Sequence, residues 1–173
     1  VSDTEKDKGP DQRILWAPWR IEYITDATKN EGCIFCEKSA EKDDRANLIV
    51  YRGKTAFVIM NRYPYNNGHL LIVPNRHTSE MADLSDEEKI ELVNLLQYAQ
   101  DVLQEVMKPQ GFNIGMNLGR LAGAGITDHL HFHIVPRWGG DTNFMPIVGH
   151  TKVISEALEE TRDHLHKAFE ERF

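Results

Sequence analysis

Cysteine is scarce in this chain: two in 173 residues, Cys33 and Cys36. That rules out a disulfide framework, and the CxxC spacing leaves a metal clip or a redox pair. Nor does any apolar run approach the roughly 18 residues that a bilayer crossing needs. The polar start, Val1 to Gln12, lacks the hydrophobic stretch of a secretory signal, so the expectation is a soluble, cytoplasmic protein with no membrane partner. Basic side chains are outnumbered, 20 Lys and Arg against 27 Asp and Glu, for a formal charge of −7. A surface that acidic is unsuited to broad contact with nucleic acid, although a local basic pocket is still allowed. The length suits one domain with a sizeable core. Residues 1–13 read as a disordered leader and 14–173 as that domain, its N-terminal arm at 14–31 carrying Trp16 and Trp19.

What the chain does have is His129, His131 and His133, three imidazoles at two-residue spacing within His129-Leu130-His131-Phe132-His133-Ile134-Val135-Pro136. Side chains alternate along a strand, so a strand over 129–135 would put all three rings on one face, about 7 Å apart in succession. Leu130, Phe132 and Ile134 would then face the core. A single strand histidine is commonly a satisfied core polar group. Three in line each lose solvation and each need a partner, which marks a site. Further strand signals lie at Leu48–Tyr51, Thr55–Met60, Leu70–Val73 and Phe112–Leu118. A long helix starts at Ser85, with Glu88 completing a capping box, and stops at Pro109 and Gly111. A last amphipathic helix covers about 153–171, with His164 and His166 on its polar face. The element order predicts an α+β fold, an antiparallel meander with one long helix and a C-terminal helix.

The loop before the histidines is rich in glycine, with Gly119, Gly123 and Gly125 around Ala124. Glycine permits positive φ and lets backbone amides approach a phosphate closely, although a mobile hairpin has the same composition.

The run His129 to Val135 resembles the signature of the histidine triad (HIT) family of nucleotide hydrolases and transferases. Gly68-His69-Leu70-Leu71-Ile72-Val73-Pro74 followed by His77 is similar to a second block of that family, and Cys33 with Cys36 to its zinc-containing branch. Ala17-Pro18-Trp19-Arg20, Tyr63-Pro64-Tyr65-Asn66 and Pro136-Arg137-Trp138-Gly139-Gly140-Asp141 resemble bacterial diadenosine tetraphosphate phosphorylases.

The resemblance implies a HIT-like fold and nucleotidyl transfer through a covalent His–AMP intermediate. His131 would be the nucleophile, with His129 and His133 orienting it or contacting phosphate. Asn61, Asn117, Gly123, Ala124, Gly125, Arg137 and Trp138 become the expected nucleotide- and phosphate-binding residues. Asn61 would bind ribose; Phe35, Phe57 and Ile59 either stack on or enclose adenine or are ordinary core residues. Structural zinc would sit on Cys33, Cys36, His77 and His129; the alternatives are His69 replacing His77, or two free cysteines and no metal. Where many hydrolytic relatives resemble Gly-Gln-Ser, this chain has Ala124, Gly125 and Ile126, which leaves room for inorganic phosphate as co-substrate. The expected partners are adenine dinucleotides and further copies of the chain, in a homodimer or larger assembly. A hydrolase of dinucleoside polyphosphates or phosphoramidates, a catalytic zinc held by the three histidines, and a nucleotide-binding module without turnover stay open as alternatives.

Overall fold

The computed structural model describes residues 32–141 and 156–173. The leader, the tryptophan arm and the start of the last helix before 156 lie outside the described residues.

Cys33 immediately precedes a short helix, α1 (Ile34–Ala40), so the CxxC pair sits on its first turn. Five strands follow: β1 (Ile49–Arg52), β2 (Ala56–Met60), β3 (Leu70–Pro74), β4 (Gly111–Gly115) and β5 (Phe132–Arg137). The long helix α2 (Asp86–Met107) connects β3 to β4, and α3 (Leu158–Arg172) ends the chain. All pairings are antiparallel, in the order β1-β2-β3-β5-β4. The α+β expectation is met, with β5 inserted between β3 and β4. That insertion places the histidine strand inside the sheet.

Every residue of β2 and β3 is buried, which is why both read as unbroken apolar runs without alternation. Helix α2 lays Leu92, Leu95, Ala99, Val102 and Leu103 into the core. Its capping box is present: Glu88 N–H donates to Ser85 Oγ at 3.2 Å and Ser85 N–H to Glu88 Oε2 at 2.7 Å. The helix closes on Lys108 in the left-handed conformation, and Pro109 follows. Gly68 also has positive φ, at 74°, in the turn that feeds β3.

Helix α3 begins at Leu158 and buries Leu165 and Phe169. His166 does not point to solvent as expected, because its Nδ1 lies 2.8 Å from the carbonyl of Val50. Buried Arg162 donates from Nε to the carbonyl of Ile49 at 2.7 Å. These two side chains engage the outer edge of β1, where a bare strand would offer unpaired backbone groups. Two strand boundaries also differ from the sequence reading. β4 ends at Gly115, before the positive-φ Gly119, and β5 starts only at Phe132.

Ser85→Ala removes the hydroxyl cap while leaving the buried face of α2 intact. It should cost about 1 kcal/mol in urea unfolding with an unchanged slope. A loss near zero would mean that the box contributes nothing.

Candidate active site

The late start of β5 divides the three histidines among different jobs. His129 and His131 precede the strand and are 1 % and 5 % exposed; only His133 lies in it. The rings of His131 and His133 are 4.9 Å apart, closer than strand spacing alone predicts. Phe35 of α1 packs against both His129 and His131, at 5.4 and 5.1 Å between centroids.

His131 Nδ1 lies 2.9 Å from the main-chain carbonyl of His129. A carbonyl only accepts, so Nδ1 carries the proton and Nε2 keeps its lone pair. Burial pushes the pKa of His131 below the ordinary histidine value, against the opposing pull of that hydrogen bond. The ring is therefore a neutral imidazole with one nucleophilic nitrogen.

His133 is set by a second chain of bonds that the sequence did not reveal. Tyr65 N–H donates to His69 Nδ1 at 3.1 Å, so the proton of fully buried His69 is on Nε2. That nitrogen lies 3.0 Å from His133 Nδ1 and donates to it, which leaves the His133 proton on Nε2. Tyr65 stacks on His69 at 4.8 Å. His69 is thus a partner of His133, and its alternative placement as a metal ligand is corrected.

His129 turns the other way. Its Nε2 donates to the carbonyl of Pro74 at 2.9 Å, which aims Nδ1 at the cysteines. Cys33, Cys36, His77 and His129 place their ligand atoms within 4.8 Å of one another. Nδ1 of His129 is 3.2 Å from Cys33 Sγ and 3.6 Å from Cys36 Sγ; Nδ1 of His77 is 3.4 Å from Cys36 Sγ and 3.3 Å from His129 Nδ1. Around a tetrahedral ion with Zn-like bond lengths, two nitrogens stand about 3.3 Å apart, and a nitrogen and a sulfur about 3.6 Å. The donor set fits a metal closely. Asp128 Oδ2 lies 3.9 Å from His77 Nε2, on the outer side of the cluster, as a supporting carboxylate would. Burial, followed by the neighbouring Cys33 thiol, pushes the Cys36 thiol up to about 11. A divalent cation would supply the charge that ionises it.

The three triad histidines do not converge on a common point: one joins the cysteines and another joins His69. Among the described residues the only metal-competent group is the Cys33 cluster. That arrangement removes the reading in which His129, His131 and His133 hold a catalytic zinc.

A cavity of about 450 Å³ opens beside His133, lined among others by Tyr65, Asn66, Asn113, Asn117 and Arg137. The glycine loop that follows Asn117 has positive φ at Gly119 and Gly123, with nothing within 4 Å of where a Cβ would stand. The backbone requires glycine there, and the space in front of it is open. Ala124 is buried, whereas Gly125 is half-buried. Asn61 sits at the end of β2 with Oδ1 accepting from Tyr63 N–H at 2.9 Å and Nδ2 3.4 Å from His69 Nδ1. Trp138 is half-buried and its N–H donates to Asp141 Oδ2 at 3.2 Å. Phe57 and Ile59, expected to enclose adenine, are core residues at 1 % and 3 % exposure, covered by other side chains.

The family model of the HIT domain matches residues 42–140. The chain belongs to the HIT family. Its histidine cluster is intact, as an enzyme of HIT-type nucleotidyl chemistry requires. Sequence relatives include an "AP-4-A phosphorylase" of Mycobacterium tuberculosis, 42 % identical over 90 % of this chain and 86 % of that protein. An "adenosine 5′-monophosphoramidase" of Schizosaccharomyces pombe is 30 % identical over 61 % of this chain and 74 % of its own. The crystal structure of a Zn-bound histidine triad family protein from Mycobacterium smegmatis superposes with a TM-score of 0.64 at 24 % identity, covering 84 % of this chain and 96 % of that one. Among the described residues of this HIT protein, no helix is long and apolar enough to cross a membrane.

The HIT donor set should take up one equivalent of Co²⁺ with the intense visible absorption of a tetrahedral thiolate site. Cys33→Ser and His77→Ala should each weaken uptake strongly. Full uptake by both variants would show that these atoms do not form the site.

Proposed function

We propose that this chain is a phosphorylase of diadenosine tetraphosphate. The supporting observation is its likeness, across nearly the whole chain, to the tuberculosis protein named for that activity. The first step forms a bond from His131 Nε2 to an α-phosphorus and breaks the bond to the bridging oxygen, which leaves with its electron pair as part of ATP. The second forms a bond from an oxygen of inorganic phosphate to that phosphorus and breaks the P–N bond. ADP departs and His131 regains its lone pair. Substrate plus phosphate thus yields ATP plus ADP.

In this reading Asn61 binds ribose hydroxyls and Trp138 contacts the nucleotide. Asn117 and the backbone of Gly123, Ala124 and Gly125 stabilise the charge that develops on phosphate oxygens. The His133 Nε2–H donates to the same oxygens. A structural zinc on Cys33, Cys36, His77 and His129 fits the donor chemistry; when bound, it cross-links α1 to the segment that carries the nucleophile. The unburied Ile90 and Val93 of α2 and Ile114 of the edge strand β4, at 61 %, 60 % and 48 % exposure, support assembly of the chain into a homodimer or larger oligomer.

Incubation of diadenosine tetraphosphate with and without inorganic phosphate tests the reading. ATP and ADP should accumulate in the presence of phosphate only. ATP and AMP without phosphate would make the protein a hydrolase, and no product in either tube would make it a binding module. His131→Ala should lower turnover by at least about a thousandfold without loss of cooperative unfolding. Normal turnover by that variant would end the assignment of the nucleophile.

A further inference from the structure

Arg137 was expected at the site only as a phosphate-binding candidate, and its surroundings allow a more specific assignment. We infer that the cavity beside His133 is the subsite on the far side of the reacting phosphorus. It holds first the leading phosphate of the departing ATP and then inorganic phosphate, with Arg137 as the residue that recognises the acceptor. The inference rests on the phosphorolysis reading above.

Alternation along β5 puts His133, Val135 and Arg137 on one face, opposite Gly115, Asn113 and Gly111 of β4. At Gly115, across from His133, a Cβ would meet nothing within 4 Å, so the floor beside His133 is open. Arg137 is 45 % exposed at its side chain yet is held in place by its hydrogen bonds. Nε and Nη2 donate to Asp141 at 2.6 and 3.1 Å, and Nη1 donates to Asn113 Oδ1 at 2.8 Å. Asn113 is registered opposite Val135, so the bond to it draws the guanidinium back along the strand towards His133. Val135 stands one two-residue step, about 7 Å, from His133, and Arg137 stands two. Asn66 donates to the same Asp141 carboxylate at 2.7 Å and fixes it from the other side.

A guanidinium has five N–H donors, and three of them are directed at Asp141 and Asn113. Two remain for a ligand. Arg137 is also the one cation among the described residues that line the cavity; its polar neighbours there are Tyr65, Asn66, Asn113, Asn117 and His133. Displacement at phosphorus is in line, so the group that leaves and the group that enters both stand opposite His131 Nε2. The acceptor must therefore occupy the place that ATP vacates. A planar fork with two outward donors recognises a phosphate oxygen edge where water gains little. The Asp141 carboxylate offsets the charge of the empty site, which favours exchange of ATP for phosphate over retention of either.

The partition of the His131-bound AMP isolates this step. With diadenosine tetraphosphate as donor, the ratio of ADP to AMP depends on the acceptor and not on how fast the enzyme is loaded. Arg137→Gln should raise the phosphate concentration that half-saturates ADP formation by about 10- to 100-fold and divert AMP to water. Arg137→Lys should recover part of the ratio. An unchanged phosphate dependence and ADP:AMP ratio in Arg137→Gln would overturn the assignment. If the unaltered enzyme makes no ADP at any phosphate concentration, the phosphorolysis reading falls instead, and the assignment with it.

Discussion

The hydrogen bond from His131 Nδ1–H to the carbonyl of His129, 2.9 Å long, is the interaction on which the site depends. It selects the tautomer that leaves Nε2 nucleophilic, and a carbonyl cannot reverse that choice by donating in turn. The two residues lie just ahead of β5, which begins at Phe132. His129 is committed on its other side, with Nε2 on Pro74 and Nδ1 among Cys33, Cys36 and His77. One residue therefore joins the metal-competent cluster to His131, the proposed nucleophile.

A parallel arrangement governs His133. The tautomer there descends from a single backbone amide, Tyr65 N–H, through buried His69. The tautomers of both outer histidines thus trace back to main-chain groups, directly for His129 and through His69 for His133, and the donor or acceptor character of those groups does not vary. The strand order carries these pieces to one place: β5 lies between β3, which His69 precedes, and β4, which leads into the loop with Asn117 and the glycines. The cavity occupies the β4 side of that strand. Asn61, by contrast, follows β2, which lies on the other side of β3.

Much of this was legible in the residues. The capping box of α2, the apolar runs of β2 and β3, the CxxC donor pair and the histidine spacing each have a local physical cause that a sequence displays. Other features depend on contacts made far along the chain. The insertion of β5 between β3 and β4 is a choice of topology that no local pattern records. The bond between His69 and His133 spans 64 residues, and the turn of His166 towards β1 spans 116. Phe57 and Ile59 illustrate the same limit. An apolar residue near a site reads alike whether it encloses a ligand or fills the core, and only the packing of the sheet decides.

If His131 carries AMP covalently from the dinucleotide to phosphate, the loaded protein can be trapped. The most direct measurement is a rapid alkaline quench of the protein with diadenosine tetraphosphate labelled at its α-phosphates, followed by mapping of the labelled peptide. Phosphoramidates survive base and hydrolyse in acid. An acid-labile label is expected on His131, disappearing when phosphate is added, as ADP forms. Product formation with no labelled protein at any time, or a label on His129 or His133 in place of His131, would contradict it.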